Sequence, residues 1–255
     1  MRVRILGCSG GIGAGSRTSA MLIDDDVLLD AGTGIGDLKL EDLASIRHVF
    51  LTHSHLDHIA GLPMLVDSIF SQTINDPLTV YGRTETLAAL REHIFNGIIW
   101  PDFSALPSPD RSVVRYRECN PGDTIKVGHR DFHAIDVAHT VPSIGYTVQN
   151  STGVFAVSGD TKTNRTLWPV LNRCDDLRAL VIEVSFPDEH EELADLAGHY
   201  CPTTLSRDLQ RLEHDPEIWL TGMKPGEEDR IFSQVLKAVP DRRVRMLSQG
   251  SIIHL

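Results

Sequence analysis

Cysteine is scarce in this sequence, and the four cysteines that occur lie far apart. No two of them form a CxxC pair, which argues against a zinc site built from thiolates and against a disulfide framework. We therefore expect reduced thiols at Cys8, Cys119, Cys174 and Cys201.

Basic charge and long apolar runs are scarce as well. The chain has 24 Lys and Arg against 35 Asp and Glu, a formal net charge of −11. Such a charge repels polyanions, so a long nucleic acid is disfavoured as a substrate. Apolar stretches are only a few residues long, and the first residues lack the apolar segment of a signal peptide. We expect a cytoplasmic protein that makes no membrane contact.

The apolar residues that are present, 41% of the 255 positions, suffice for a substantial core. Short strand patterns joined by glycine turns fill the first third, and a helix is predicted from about residue 60 to 70. Strand patterns return over residues 113–157, and helices and strands follow to the end. No low-complexity linker divides the chain. We therefore predict one domain, residues 1–255, of the α/β (α+β) class with mixed sheets and outer helices.

The most informative feature is a concentration of histidine in residues 53–58, which read HSHLDH directly after a strand-like apolar segment. Four metal-donor side chains in six residues are improbable by chance. Alternate side chains of an extended segment share a face, so His53 and His55 can bind one ion. Asp57 and His58 lie further along and can face a second ion. The spacing predicts a two-metal site.

A site with two ions needs donors beyond this cluster, including a carboxylate that holds the ions about 3.5–4 Å apart. His139 lies at the end of a predicted strand and before a proline. Asp160 follows Gly159 at the end of another predicted strand. Each residue alone has an ordinary alternative, because strand-end histidines are often solvated and an aspartate before threonine often caps a helix. Beside the cluster, we interpret both as metal ligands.

Five segments of the sequence resemble the metallo-β-lactamase superfamily: HSHLDHIAGL, HTVPSIGY, SGDT, IEVSF and GHYCPTTL. Within it they are most similar to class II cyclic-nucleotide phosphodiesterases, and tRNase Z is a more distant relative. The resemblance implies an αββα sandwich, with two mixed sheets back to back, helices outside and metal ions at one edge. It also implies the ligands: His53, His55 and His139 for the first ion, Asp57 and His58 for the second, and Asp160 as the bridge. Zn²⁺ suits imidazole donors, although Mn²⁺ or Fe²⁺ also suits mixed sites.

The resemblance implies hydrolysis of a 3',5'-cyclic nucleotide, cAMP or cGMP, to the nucleoside 5'-monophosphate by a metal-bound hydroxide. Asp57 would orient that hydroxide or accept its proton. His199 would protonate the leaving oxygen, and Glu183 would support His199. The alternatives are a capping or surface histidine at 199 and an ordinary strand-end acid at 183.

One position departs from the resembled pattern. The segment LTGMKP has Gly222 where these families usually supply a last histidine to the second ion. We expect the second ion to bind more weakly as a result. His254 is a possible substitute, but it lies in a strand-like tail where alternate residues point to opposite faces.

Other functions remain open at this stage. The same fold could serve a lactone or thioester hydrolase, a tRNase Z-like nuclease, or a metal-binding protein that Gly222 has impaired as a catalyst. The glycine-rich residues 7–15 are followed by neither a Lys-Ser/Thr pair nor a helix, so we interpret them as a flexible loop on the active-site side rather than a nucleotide-phosphate loop. A homodimer is possible by symmetry alone.

Overall fold

Two mixed β-sheets of seven strands each form the centre of the protein in the computed structural model, which describes residues 1–255. Strands are numbered along the chain. The first sheet contains, in spatial order, β14 (Ile252–His254), β1 (Arg2–Gly7), β2 (Ala20–Ile23), β3 (Val27–Leu29), β4 (His48–Phe50), β5 (Leu78–Gly82) and β6 (Val114–Glu118). The second contains β13 (Val244–Met246), β12 (Glu217–Thr221), β11 (Leu177–Glu183), β10 (Gly153–Val157), β9 (Ser143–Asn150), β8 (Arg130–Val137) and β7 (Thr124–Val127).

Nine short α-helices complete the architecture, the longest of them 11 residues. None of them is both long and apolar enough to cross a membrane. The helices are α1 (Leu40–Leu43), α2 (Leu56–Ile59), α3 (Leu62–Ser68), α4 (Phe70–Thr73), α5 (Thr84–Ala89), α6 (Leu167–Leu171), α7 (Glu191–Ala197), α8 (Pro202–Leu209) and α9 (Glu228–Ala238).

The core is divided into three apolar layers by the two sheets. Successive residues of a strand point to opposite faces, so in the first sheet Val49 packs toward the helices while Phe50 points toward the second sheet. Phe50 stacks there on Phe132 of β8, with 4.2 Å between ring centroids. A third layer packs α6, α8 and α9 against the outer face of the second sheet. The predicted αββα sandwich is confirmed.

Strand direction decides where functional side chains gather. The pairings make β1, β3 and β4 run in one direction within the first sheet, and β8, β10, β11 and β12 run in one direction within the second. Backbone hydrogen bonds join the segments that follow these strands, from Ile144 to the Thr52 carbonyl and from Gly222 to the Cys8 carbonyl. The loops after the strands of both sheets therefore meet at one edge.

The helix predicted from about residue 60 to 70 is present as α3, and α4 follows it directly. A separate short helix that was not predicted precedes it: α2 begins at Leu56, so Asp57 and His58 are helical rather than part of a loop. Helix α7 was not predicted from the sequence either. Its leucines Leu193 and Leu196 are 48% and 79% exposed, so the helix lacks the buried apolar stripe by which periodicity is recognised.

Candidate metal centre

Three imidazoles from two different loops meet at the shared sheet edge. His53 and His55 follow β4, and His139 follows β8 in the other sheet. The His139 Nε2 atom lies 3.1 Å from His55 Nδ1, and the rings of His53 and His139 are 4.9 Å apart between centroids. Their donor nitrogens are close enough to one another to hold a single metal ion. The structure thus brings together the three residues predicted for the first ion.

The orientation of two of these rings is set by neighbouring oxygens. The Gly198 carbonyl lies 2.8 Å from His139 Nδ1 and can only accept a hydrogen bond, so Nδ1 carries the proton and Nε2 keeps a free lone pair for a metal. The Thr52 hydroxyl lies 3.0 Å from His53 Nδ1, and His53 Nε2 is buried with no hydrogen-bond partner. A buried, unpartnered imidazole nitrogen beside other donors is what a metal site requires.

The protonation of the three imidazoles also suits a metal. Burial lowers the pKa of His53 well below its usual value, and burial likewise lowers the pKa values of His55 and His139. Neutral imidazole is the form that binds a metal, so the fold holds these side chains ready to coordinate. The donor set therefore fits the expected ion.

A second group of donors shares His53 and adds His58 and Asp160. The Asp160 Oδ2 atom lies 3.4 Å from His58 Nε2 and 3.9 Å from His53 Nε2. Burial alone would raise the pKa of Asp160, but the charge and hydrogen bonding of His58 outweigh it and lower the pKa well below the usual range. Asp160 is therefore an anionic carboxylate between the two groups of histidines, the position expected of a bridge.

Asp57 lies at the open side of this cluster. Its carboxylate is 3.7 Å from His58 Nε2, and its side chain is 38% exposed. Asp57, His58, Asp160 and His199 line the same cleft. Asp57 is thus partly accessible to solvent, which suits a group that meets water or substrate.

His199 and Glu183 form a pair beside the cluster. His199 follows the left-handed C-terminal Gly198 of α7, and its Nδ1 lies 3.2 Å from Glu183 Oε1. Burial lowers the pKa of His199, but the charge and hydrogen bond of Glu183 outweigh burial and raise it overall. Glu183 is fully buried and also accepts hydrogen bonds from the backbone of Thr161 and Tyr200. Glu183 therefore contacts His199 and does not line the cleft itself.

His199 also belongs to a third group of donors, with His139 and Asp160. Its Nδ1 lies 4.0 Å from Asp160 Oδ2. The geometry thus allows His199 a second role, that of a metal ligand, which the sequence analysis did not consider.

Position 222 lies where the sequence analysis expected it, in the wall of the cleft with His58 and Asp160. The φ angle of Gly222 is +77°, in the left-handed region that favours glycine. A Cβ added there would lie 3.5 Å from the nearest atoms of Glu183 and Ser185, an ordinary contact distance. Backbone conformation, rather than lack of space, is thus the constraint on a side chain here. His254 pairs with Arg2, at the end of β1 away from the cleft, and cannot replace it.

Asp30 is a site residue that the sequence analysis missed. Its Oδ2 lies 2.6 Å from His58 Nδ1, and its carboxylate also accepts hydrogen bonds from the backbone and hydroxyl of Thr52. Such a contact would fix the imidazole with Nε2 toward the other donors of the candidate site and would raise its basicity as a ligand. The sequence feature that could have identified Asp30 is its position directly after β3, a strand that pairs with β4.

Comparison with known proteins agrees with this geometry. A model of the beta-lactamase superfamily domain matches residues 26–215, which include every predicted ligand. The chain belongs to the metallo-β-lactamase superfamily. It is 28% identical over 252 residues to a probable 3',5'-cyclic-nucleotide phosphodiesterase of Yersinia pestis, covering 82% of this chain and 71% of that protein.

Two further comparisons extend the similarity of this metallo-β-lactamase chain to a ribonuclease and to a solved structure. It is 29% identical over 154 residues to a ribonuclease Z of Methanopyrus kandleri, covering 58% of this chain and 50% of that protein. Unliganded yeast PDE1 has the same fold, with a TM-score of 0.83 and 21% identity over 100% of this chain and 99% of that one. The predicted superfamily is confirmed, and its similar proteins include both a cyclic-nucleotide phosphodiesterase and a ribonuclease Z, as the resemblance implied.

Proposed function

We propose that this protein is a metal-dependent phosphodiesterase that hydrolyses a 3',5'-cyclic nucleotide such as cAMP or cGMP to the nucleoside 5'-monophosphate. The observation that carries the proposal is the position of the anionic Asp160 between two groups of imidazoles, with the His199–Glu183 pair alongside. The similarity to a probable cyclic-nucleotide phosphodiesterase over most of both chains supports the substrate class.

The proposed ligands of the first ion are His53, His55 and His139. Those of the second are Asp57 and His58, with Asp160 shared. Bound Zn²⁺, or Mn²⁺ or Fe²⁺ in its place, would supply Lewis-acid chemistry that activates water and neutralises phosphate oxygens.

The chain's own residues position the reactants. Asp57 is accessible at the cleft and can accept a hydrogen bond from the attacking water, which orients it toward phosphorus. The Nδ1 side of His199 faces Glu183 and Ser185, so the ring's other nitrogen, Nε2, is left to donate a proton to the leaving ribose oxygen. Glu183 holds the ring in that orientation.

The first test is turnover by the purified protein supplied with Zn²⁺ or Mn²⁺. We expect the protein to bind metal, to convert cAMP or cGMP to the 5'-monophosphate and to lose this activity on chelation. Metal analysis measures the binding, and chromatographic separation of the products measures the conversion before and after chelation. Hydrolysis of a lactone or thioester with no action on cyclic nucleotides would reject the proposed substrate class. Metal content below one equivalent with no hydrolysis would reject catalysis itself.

Restoring a histidine at position 222 tests the second ion. We expect Gly222→His to raise the metal content of the protein and its rate at limiting metal, because it adds an imidazole to the cleft that holds His58 and Asp160. Histidine tolerates the left-handed region better than most residues, so the strain at φ +77° is bearable. Gly222→Ala is the matched control, since it introduces the strain without the donor.

Atomic absorption and rates at graded metal concentrations compare the two variants. Equal metal content and equal rates in native protein, Gly222→His and Gly222→Ala would show that position 222 does not lie beside the second ion.

A further inference from the structure

The cleft that holds the candidate metal centre is lined by three carboxylates but by only one lysine or arginine side chain. Asp30, Asp57 and Asp160 supply the negative charge, and Lys224 is the only lysine or arginine in the lining. A phosphodiester substrate is itself an anion, so a permanently charged ammonium among these acids favours its binding.

The ammonium group of Lys224 is fixed in place without being neutralised. Its Nζ donates a hydrogen bond to the Gly10 carbonyl at 3.0 Å and lies 5.5 Å from the centre of the Phe186 ring. No carboxylate lies within 4.0 Å of it, in contrast to the ammonium of Lys162, which lies 2.9 Å from Asp195. Since an ammonium has three donors, Lys224 retains the capacity to bind an anion.

The glycine-rich segment of residues 7–15 explains how this cation is held. A Cβ on Gly10 would lie 2.2 Å from the Gly222 carbonyl oxygen, so only glycine allows the loop to lie against residues 222–225. This contact brings the Gly10 carbonyl to Lys224. It also places Ser9 in the cleft wall, with a buried hydroxyl that has no hydrogen-bond partner. An unsatisfied hydroxyl and an ammonium without a carboxylate partner, both in the wall of one cleft, are groups that a phosphate-oxygen site would use.

We propose that Lys224, with the Ser9 hydroxyl, binds the phosphate oxygens of the substrate and thereby selects phosphodiesters over uncharged esters. This inference rests on the proposed function and adds a specificity residue that lies outside the metal ligands. It also gives the glycine-rich loop a role, because the loop holds the ammonium in the wall that lacks a histidine at position 222. The site would bind the 5'-monophosphate product and inorganic phosphate by the same contacts.

The test compares Lys224→Met and Lys224→Arg with native protein, all loaded with metal. We expect Lys224→Met to raise the KM for cAMP by about tenfold or more, because a hydrogen bond to a charged group is lost, with a smaller change in kcat. Hydrolysis of uncharged p-nitrophenyl acetate and the metal content should not change. Lys224→Arg should retain most of the affinity. Lys237→Met, on α9, is the matched control and should behave as native.

A direct measurement of phosphate binding tests the role of Lys224 independently of the proposed function. Calorimetric titration with inorganic phosphate and AMP should give Kd values about tenfold or more higher for Lys224→Met, and Ser9→Ala should weaken binding in the same direction. If the native protein does not hydrolyse cAMP, the proposed function fails, and the phosphate titration still decides the role of Lys224. Equal phosphate Kd values in native protein, Lys224→Met and Ser9→Ala would overturn the inference.

Discussion

Asp160→Asn is expected to cost the protein most of its bound metal and to lower the rate of cyclic-nucleotide hydrolysis by about 100-fold or more. Loss of a residue that merely orients a ligand costs about 10–100-fold in metal affinity or activity, and Asp160 is proposed to contact both ions. Its Oδ2 lies within 4.0 Å of His53, His58 and His199. Asparagine keeps the shape of the side chain and removes the charge, so a loss of metal or of rate can be attributed to the loss of metal coordination by the carboxylate.

Thermal unfolding separates this effect from a simple loss of stability. A ligand that binds only the folded state stabilises it by about 2.7 kcal/mol at 100 times its Kd. Metal should therefore raise the Tm of the native protein and leave that of Asp160→Asn almost unchanged. The matched control is Asp195→Asn, which removes an exposed carboxylate paired with Lys162 and should behave as native. A native metal content and a native rate in Asp160→Asn would refute the bridging role.

The proposed ligands were brought together as the sequence predicted because their positions follow from local sequence. His53 and His55 follow one apolar strand pattern, and His139 and Asp160 follow two others. Strands that run in one direction end at one edge, so donors placed after such strands meet without any further information. The fold class followed from the same strand and helix patterns and from the resemblance of the five segments.

The partners of those ligands were not predictable in this way. Asp30 reaches His58 across 28 positions of sequence, and its own φ angle of +56° has no signature in the sequence. The contact between Gly10 and Gly222 joins segments more than 200 residues apart, and it depends on how the two sheets stack. Long-range packing decides such contacts, and a single sequence carries little record of it.

His199→Ala is expected to lower kcat for cAMP by about 10²–10⁴-fold, the usual contribution of a general acid, while the metal content remains native. The structure supports this role because Glu183 and Ser185 hold Nδ1, which leaves Nε2 for the substrate. Glu183→Gln should give a smaller loss of kcat with a shifted pH profile, because it disturbs the orientation and charge of the ring without removing it. His214→Ala is the matched control, since that ring bonds only the Asn172 carbonyl.

The leaving group distinguishes a proton donor from a metal ligand. A p-nitrophenyl phosphodiester releases a stable anion that needs no proton, so His199→Ala should hydrolyse it at close to the native rate if His199 is the general acid. The proximity of His199 to His139 and Asp160 allows the other role. If His199 is a metal ligand instead, His199→Ala should lower the metal content and the rates of hydrolysis of both substrates. That result would show that His199 coordinates an ion rather than donating a proton, and that it supplies the second ion with the imidazole that is missing at Gly222.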